Sequence, residues 1–198
     1  MASFLLLKMR MKAAVFFERD GVLNRVRAEQ SNWVPLTLDQ FVVNEEAAEP
    51  LWALKSVGFL LLVTTNQPGL SRGYQSRRDL DQMHEILRKC LHIDDILVCP
   101  HDEPDHCPCR KPRPGLLMEA AFKWHLTLDR CFVVSDKWQD AEAAQNAGCT
   151  SLLIRSPFNG AGHRDFTLPD LPTITEKILQ LQLGCFRPTA GDREPVRI

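Results

Sequence analysis

A chain of 198 residues is the size of one ordinary domain, long enough to bury a core of its own. Its hydrophobic share of 44% and charged share of 25% are those of a soluble globular protein. A formal net charge of -1 excludes the basic excess expected of a nucleic-acid or membrane-surface binder.

The N-terminal apolar run over 4–7 is too short for the core of a signal peptide and far too short to cross a bilayer. Met9 and Met11 leave open a later translation start. Short, continuous apolar runs follow at 13–17, 59–64, 96–99, 131–135 and 151–154. They do not alternate, which predicts strands buried on both faces. Between them lie helical patterns. The first, 45–57, stops at Gly58; the second, 77–91, places Leu80, Met83, His84 and Leu87 on one face. The third, 114–124, opens on a proline, and the fourth, 139–147, stops at Gly148. Alternating strands and helices predict an α/β fold: a doubly wound, Rossmann-like, mainly parallel sheet. Residues 34–38 and 157–172 read as loops of poor periodicity, and 184–198 as a frayed tail. The expected organisation is one domain over 1–183 carrying an inserted loop over 99–109. The expected setting is the cytoplasm, with no membrane or nucleic-acid partner and a monomer as the default.

Ligands of such sheets bind at the carboxyl ends of the strands. Reactive residues stand at four of those ends: Glu18-Arg19-Asp20-Gly21, Thr65-Asn66-Gln67, the loop that leads to Lys111, and Asp136-Lys137.

The loop reads C-P-H-D-E-P-D-H-C-P-C-R-K-P. Cys99 and His101 are one residue apart, and so are Cys107 and Cys109. Three thiolates and an imidazole match a closed, tetrahedral structural zinc site. His106 is a weaker substitute for His101. Cys90, Cys131, Cys149 and Cys185 are scattered and read as ordinary thiols.

Glu18 and Asp20, two acids flanking one residue at a strand end, can share a divalent cation and a phosphate. One attacks phosphorus and the other handles the proton of the leaving oxygen. Thr65 and Asn66 offer donors to phosphate oxygens, although both also suit a helix N-cap. Lys111 can neutralise phosphate charge. Asp136 is a hard-oxygen ligand for Mg2+, and Asp140, one helical turn later, could support that ion from behind.

The set E-R-D-G-V-L-N, T-N-Q-P-G-L-S-R-G, C-P-H…C-P-C-R-K-P-R-P-G and S-D-K-W-Q-D resembles the haloacid dehalogenase superfamily. More narrowly it resembles D-glycero-D-manno-heptose 1,7-bisphosphate phosphatases and the related histidinol-phosphate phosphatase domains. The resemblance covers roughly residues 13–155. It implies Mg2+-dependent hydrolysis of a sugar phosphate through an acyl-phosphate intermediate, with the 7-phosphate of the heptose bisphosphate as first substrate and histidinol phosphate as runner-up. It puts Glu18 at the nucleophile position, and Asp20 at the general acid/base with its carbonyl on Mg2+. Thr65 and Lys111 fall on the phosphate-stabilising positions, Asp136 on the Mg2+ aspartate, and Asn66, Gln67, Arg110 and Lys137 on substrate contacts. Cys99, His101, Cys107 and Cys109 fall on the zinc ligands.

Two residues depart from the family pattern. Ser135 stands where the family has glycine, and Glu18 where it has aspartate. The extra methylene moves the carboxylate by ~1.5 Å if the backbone holds. A longer carboxylate can also enter the space of the phosphate itself, which admits a second reading: a catalytically impaired relative that binds phospho-sugar or a protein.

Overall fold

The computed structural model describes residues 12–26 and 34–182. The N-terminal apolar run, Cys185 and the tail lie outside the described residues, as does most of the 25–33 stretch.

Among the described residues, six strands alternate with five helices in chain order. They are β1 (Ala14–Phe17), α1 (Ala48–Ser56), β2 (Leu60–Asn66), α2 (Arg77–Leu91), β3 (Asp95–Cys99), α3 (Gly115–Trp124), β4 (Phe132–Ser135), α4 (Trp138–Ala147), β5 (Thr150–Ile154), β6 (Phe166–Leu168) and α5 (Leu171–Gln182). All neighbours in the sheet pair in parallel, in the order β3-β2-β1-β4-β5-β6. The chain builds outward from β1 to β3 and then returns to the other side of β1. The switch point therefore lies between β1 and β4, where Phe17 faces Val134.

The continuous apolar strands have the cause anticipated above. Val15, Phe17, Leu61, Val63 and Val134 face one layer with Leu51, Leu54, Met83, Leu87, Ile174 and Ile178, from α1, α2 and α5. Ala14, Phe16, Leu62, Leu97 and Val133 face the other with Leu116, Leu117 and Ala120 of α3 and Ala143 and Ala144 of α4. Successive residues of one strand thus enter opposite cores.

α2 starts at Ser76, whose hydroxyl accepts from the Asp79 amide at 3.0 Å. Three expectations change. The 157–172 stretch contains β6 and the first residues of α5, because a three-residue edge strand leaves too little pattern to read. Leu38–Gln40 forms a short 3-10 turn. Thr65 and Asn66 cap no helix: they are the last two residues of β2. Among the described residues no helix is long and apolar enough to cross a membrane.

Candidate active site

The turn after β1 sets the site. Leu23 and Asn24 amides both donate to the Arg19 carbonyl, at 3.0 and 3.1 Å, which folds Arg19–Asn24 back on itself. Gly21 sits there with φ +97°, and a Cβ on it would meet Asp136 Oδ2 at 2.6 Å. Glycine is required twice, by the backbone conformation and by the approach of the β4 aspartate.

Around this turn lies a cluster of buried charges. Glu18, Asp20, Thr65, Lys111 and Asp140 are all at most 5% exposed. Glu18 accepts from the Asp20 amide at 3.1 Å, from the Thr65 hydroxyl at 3.3 Å and from the Lys111 ammonium. Lys111 Nζ also donates to Asp140 Oδ1 at 2.6 Å and to the Thr64 carbonyl at 2.9 Å. Burial alone would raise the Glu18 pKa, but the charges of Lys111 and Lys137 outweigh it and hold the carboxyl below its usual range. Asp140 goes the other way. Burial pushes it up to about 6 despite Lys111, with Glu18 repelling it. Lys111 is kept charged against its burial by Asp140 and Glu18.

The donors expected to hold a phosphate therefore converge on one point, and the Glu18 carboxylate stands at it. A second substitution of the same kind concerns the cation. Lys137 Nζ lies 2.5 Å from the Asp20 carbonyl, 3.8 Å from Glu18 Oε1 and 3.6 Å from Asp136 Oδ1. Those oxygens are the ones expected to bind a hard divalent ion, and they already surround a positive charge. Asp136 Oδ1 is buried and accepts no hydrogen bond, and burial pushes the Asp136 pKa up. A buried carboxylate oxygen without a donor, among oxygens that already enclose a cation, fits Mg2+. The Asp136 backbone is fixed by Ser156 Oγ at 2.5 Å and Asn159 Nδ2 at 3.0 Å, both donating to its carbonyl.

The remaining predicted residues are placed as follows. Asn66 makes two bonds to the Lys111 backbone, accepting from its amide at 3.2 Å and donating to its carbonyl at 3.3 Å. Gln67 is fully buried, and its Nε2 donates at 2.8 Å both to Asp20 Oδ2 and to Thr65 Oγ1. Arg110 braces the inserted loop, donating to Glu103 Oε2 at 2.9 Å and to the His101 carbonyl at 3.1 Å. Lys137 joins the cluster to a groove of about 450 Å³, whose other walls are Trp138, Gln139, Pro157, Phe158 and Gly160. Sequence reasoning gave no role to Arg19 and Asn24, which bind Asp20, and considered Asp140 as support for the ion without the bond that its Oδ1 accepts from Lys111. Glu18 and Lys111 are 93 residues apart, so no local pattern announces them as a pair.

The loop itself gathers Cys99, His101, Cys107 and Cys109 within 4.8 Å of one another; His106 is not in that group. Cys99 to Cys107 is 3.5 Å, Cys107 to Cys109 3.4 Å, His101 Nδ1 to Cys109 3.4 Å and to Cys99 3.7 Å. Ligands about 2.3 Å from a tetrahedral centre leave edges of about 3.5–3.8 Å, so these atoms can hold one metal ion. A Cβ on Gly115 would meet the Pro108 carbonyl oxygen at 2.4 Å, so glycine there lets α3 begin against the clip.

The family model described as HAD-hydrolase-like matches residues 108–172. A D-glycero-beta-D-manno-heptose-1,7-bisphosphate 7-phosphatase of Helicobacter pylori J99 is 35% identical over 147 residues, covering 71% of this chain and 82% of that one. The chain belongs to this phosphatase family of the haloacid dehalogenase superfamily. The Pseudomonas aeruginosa member is 30% identical over 183 residues, 85% of this chain and 99% of its own. The crystal structure of the D,D-heptose 1,7-bisphosphate phosphatase of B. bronchiseptica, complexed with magnesium and phosphate, aligns with TM-score 0.76 at 27% identity. It covers 86% of this chain and 99% of that one. The chain is accordingly a phosphatase of this family, and the sheet described above is that of the superfamily.

Proposed function

We propose that the protein removes the 7-phosphate of D-glycero-D-manno-heptose 1,7-bisphosphate, with Mg2+ as cofactor. The observation that carries this reading is the convergence of the Asp20 amide, Thr65 Oγ1 and Lys111 Nζ on a single anion at the sheet's switch point. The relatives' activity supports the substrate, and the magnesium and phosphate of the B. bronchiseptica enzyme support the ligands.

In the reaction, the substrate phosphate displaces the Glu18 carboxylate from the three donors. Glu18 then attacks phosphorus in line, and the sugar hydroxyl leaves as Asp20 gives it a proton. Asp20 next takes a proton from the water that hydrolyses the acyl phosphate. Thr65 and Lys111 hold the phosphoryl oxygens throughout, and Asn66 fixes the Lys111 backbone. Glu18, Asp136 and the Asp20 carbonyl would hold Mg2+, with Lys137 moved aside toward the substrate. Bound there, the ion would offset charge on the transferring phosphoryl group. Cys99, His101, Cys107 and Cys109 would hold a structural Zn2+, and Arg110, braced on Glu103 and the His101 carbonyl, would contact the substrate from that loop. Three reduced thiols suit the cytoplasm.

The test is phosphate release from the heptose bisphosphate with and without Mg2+, for the native chain beside Glu18→Asp. The native chain is expected to turn over only with Mg2+. The aspartate variant, whose carboxylate retreats from the cradle, is expected to be faster by on the order of a hundredfold. Turnover by the variant and none by the native chain would overturn Glu18 as a working nucleophile.

A further inference from the structure

Two buried polar residues take no part in those steps. Arg19 is 0% and His84 4% exposed. A guanidinium taken out of water costs several kcal/mol unless it is paired, so its partners matter. Arg19 forks the Asp20 carboxylate, with Nε to Oδ1 and Nη2 to Oδ2, both at 3.0 Å. Asn24 Nδ2 adds a bond to Oδ1 at 3.0 Å and Gln67 Nε2 one to Oδ2 at 2.8 Å. On its far side, Arg19 Nη1 lies 3.3 Å from His84 Nε2, and the guanidinium sits 5.7 Å from the centre of the Phe41 ring.

Arginine has donors only, so the imidazole nitrogen that faces it must carry the lone pair. Burial, and then the charge of Arg19, push His84 down to about 3, with Arg88 and Arg77 adding to it. The ring is therefore neutral and able to accept. It sits on the apolar face of α2 beside Leu80, Met83 and Leu87, where packing alone asks for no polar atom.

We propose that Arg19 and His84 are positioning residues for Asp20. His84 fixes the Arg19 guanidinium, and the guanidinium holds the Asp20 carboxylate in the orientation that proton transfer to the leaving oxygen needs. Asn24 and Gln67, neutral and singly bonded to it, are the partners that a leaving hydroxyl or a water can replace. The inference rests on the reading of Asp20 as the acid/base.

Leaving-group chemistry tests it. An alkyl phosphate such as the heptose bisphosphate needs a proton on its leaving oxygen, whereas the phosphate of an acidic phenol does not. The ratio of kcat/KM for the alkyl ester to that for p-nitrophenyl phosphate isolates Asp20, because kcat/KM reports events only through transfer to Glu18. In His84→Leu, which removes the acceptor, the ratio should fall by on the order of tenfold or more. In His84→Gln, whose amide oxygen can accept from Arg19, most of the ratio should return. Arg19→Met should lower it further; if that variant fails to fold, the His84 pair still decides. An equal loss on both esters, no loss on either, or glutamine no better than leucine would each overturn the positioning role. The series is run in the native and the Glu18→Asp chains. Turnover with a flat ratio refutes the positioning role alone. Absence of cleavage of either ester in both chains refutes the phosphatase reading, and the positioning role with it.

Discussion

The Cys/His clip takes its ligand atoms from one short loop, residues 99–109, while the charged cluster beside it takes Glu18, Thr65, Lys111, Asp136 and Asp140 from four strand ends and a helix. In the clip, sequence spacing brings the ligands together, and a bound ion would complete them. In the cluster, only the finished sheet does so, and buried opposite charges hold each other. The two meet at Lys111, two residues past Cys109, so the clip's shape decides where the cluster's central cation stands. The cluster also fills itself. Glu18 stands where an anion is expected and Lys137 among the oxygens expected to hold a cation.

The sharpest way to separate the regions is Lys111→Met. It strands the Glu18 and Asp140 carboxylates, both nearly excluded from water, without their shared partner. Breaking such a pair costs about 3–5 kcal/mol, to be read from urea unfolding, and phosphate release should be lost. The clip should keep about one metal ion per chain by elemental analysis. Loss of that ion as well would show that the two regions are one energetic unit.

Removing the metal is the reverse experiment. An ion present at a hundred times its Kd stabilises the fold by about 2.7 kcal/mol, so chelation should lower the unfolding free energy by about that amount. Cys107→Ser should abolish the response to chelator. Because Lys111 hangs from the clip, chelation should also reduce turnover at saturating Mg2+. Unchanged thermal stability on chelation would mean that the four ligand atoms hold no ion.

The same contrast explains what could be read from the chain. The clip was legible because paired Cys/His spacings need no tertiary knowledge. The strands were legible because β1, β2 and β4 are buried on both faces and therefore continuously apolar. β6 was not, since three half-buried residues at a sheet edge carry no period, and α5 begins three residues later. At the site, Glu18, Asp20, Thr65 and Asp136 could be named from strand ends. Their pairings could not. Asp140 reaches Lys111 across 29 residues, Gln67 turns inward to Asp20 across 47, and His84 reaches Arg19 across 65, none of which leaves a mark on local pattern. His84 was legible only as a member of the buried face of α2.

That histidine yields the smallest of these effects, in pH. Its folded pKa of about 3 lies below the ordinary 6.5 of the unfolded chain. Above pH 6.5 both states are neutral and the residue contributes its full stability. As pH falls, the unfolded chain takes up a proton that the folded one refuses, and stability drains away until the pH nears the folded value. By pH 5 the loss should reach about 2 kcal/mol, one and a half pKa units at about 1.4 kcal/mol each. His84→Gln keeps a hydrogen-bond acceptor but cannot titrate, so its unfolding free energy should fall less between pH 7 and pH 5 by about that margin. Parallel pH profiles for the two proteins would mean that the native imidazole titrates as in the unfolded chain and is protonated in the fold by pH 5. It could then no longer accept from Arg19, and the buried cluster would be organised around a different set of charges.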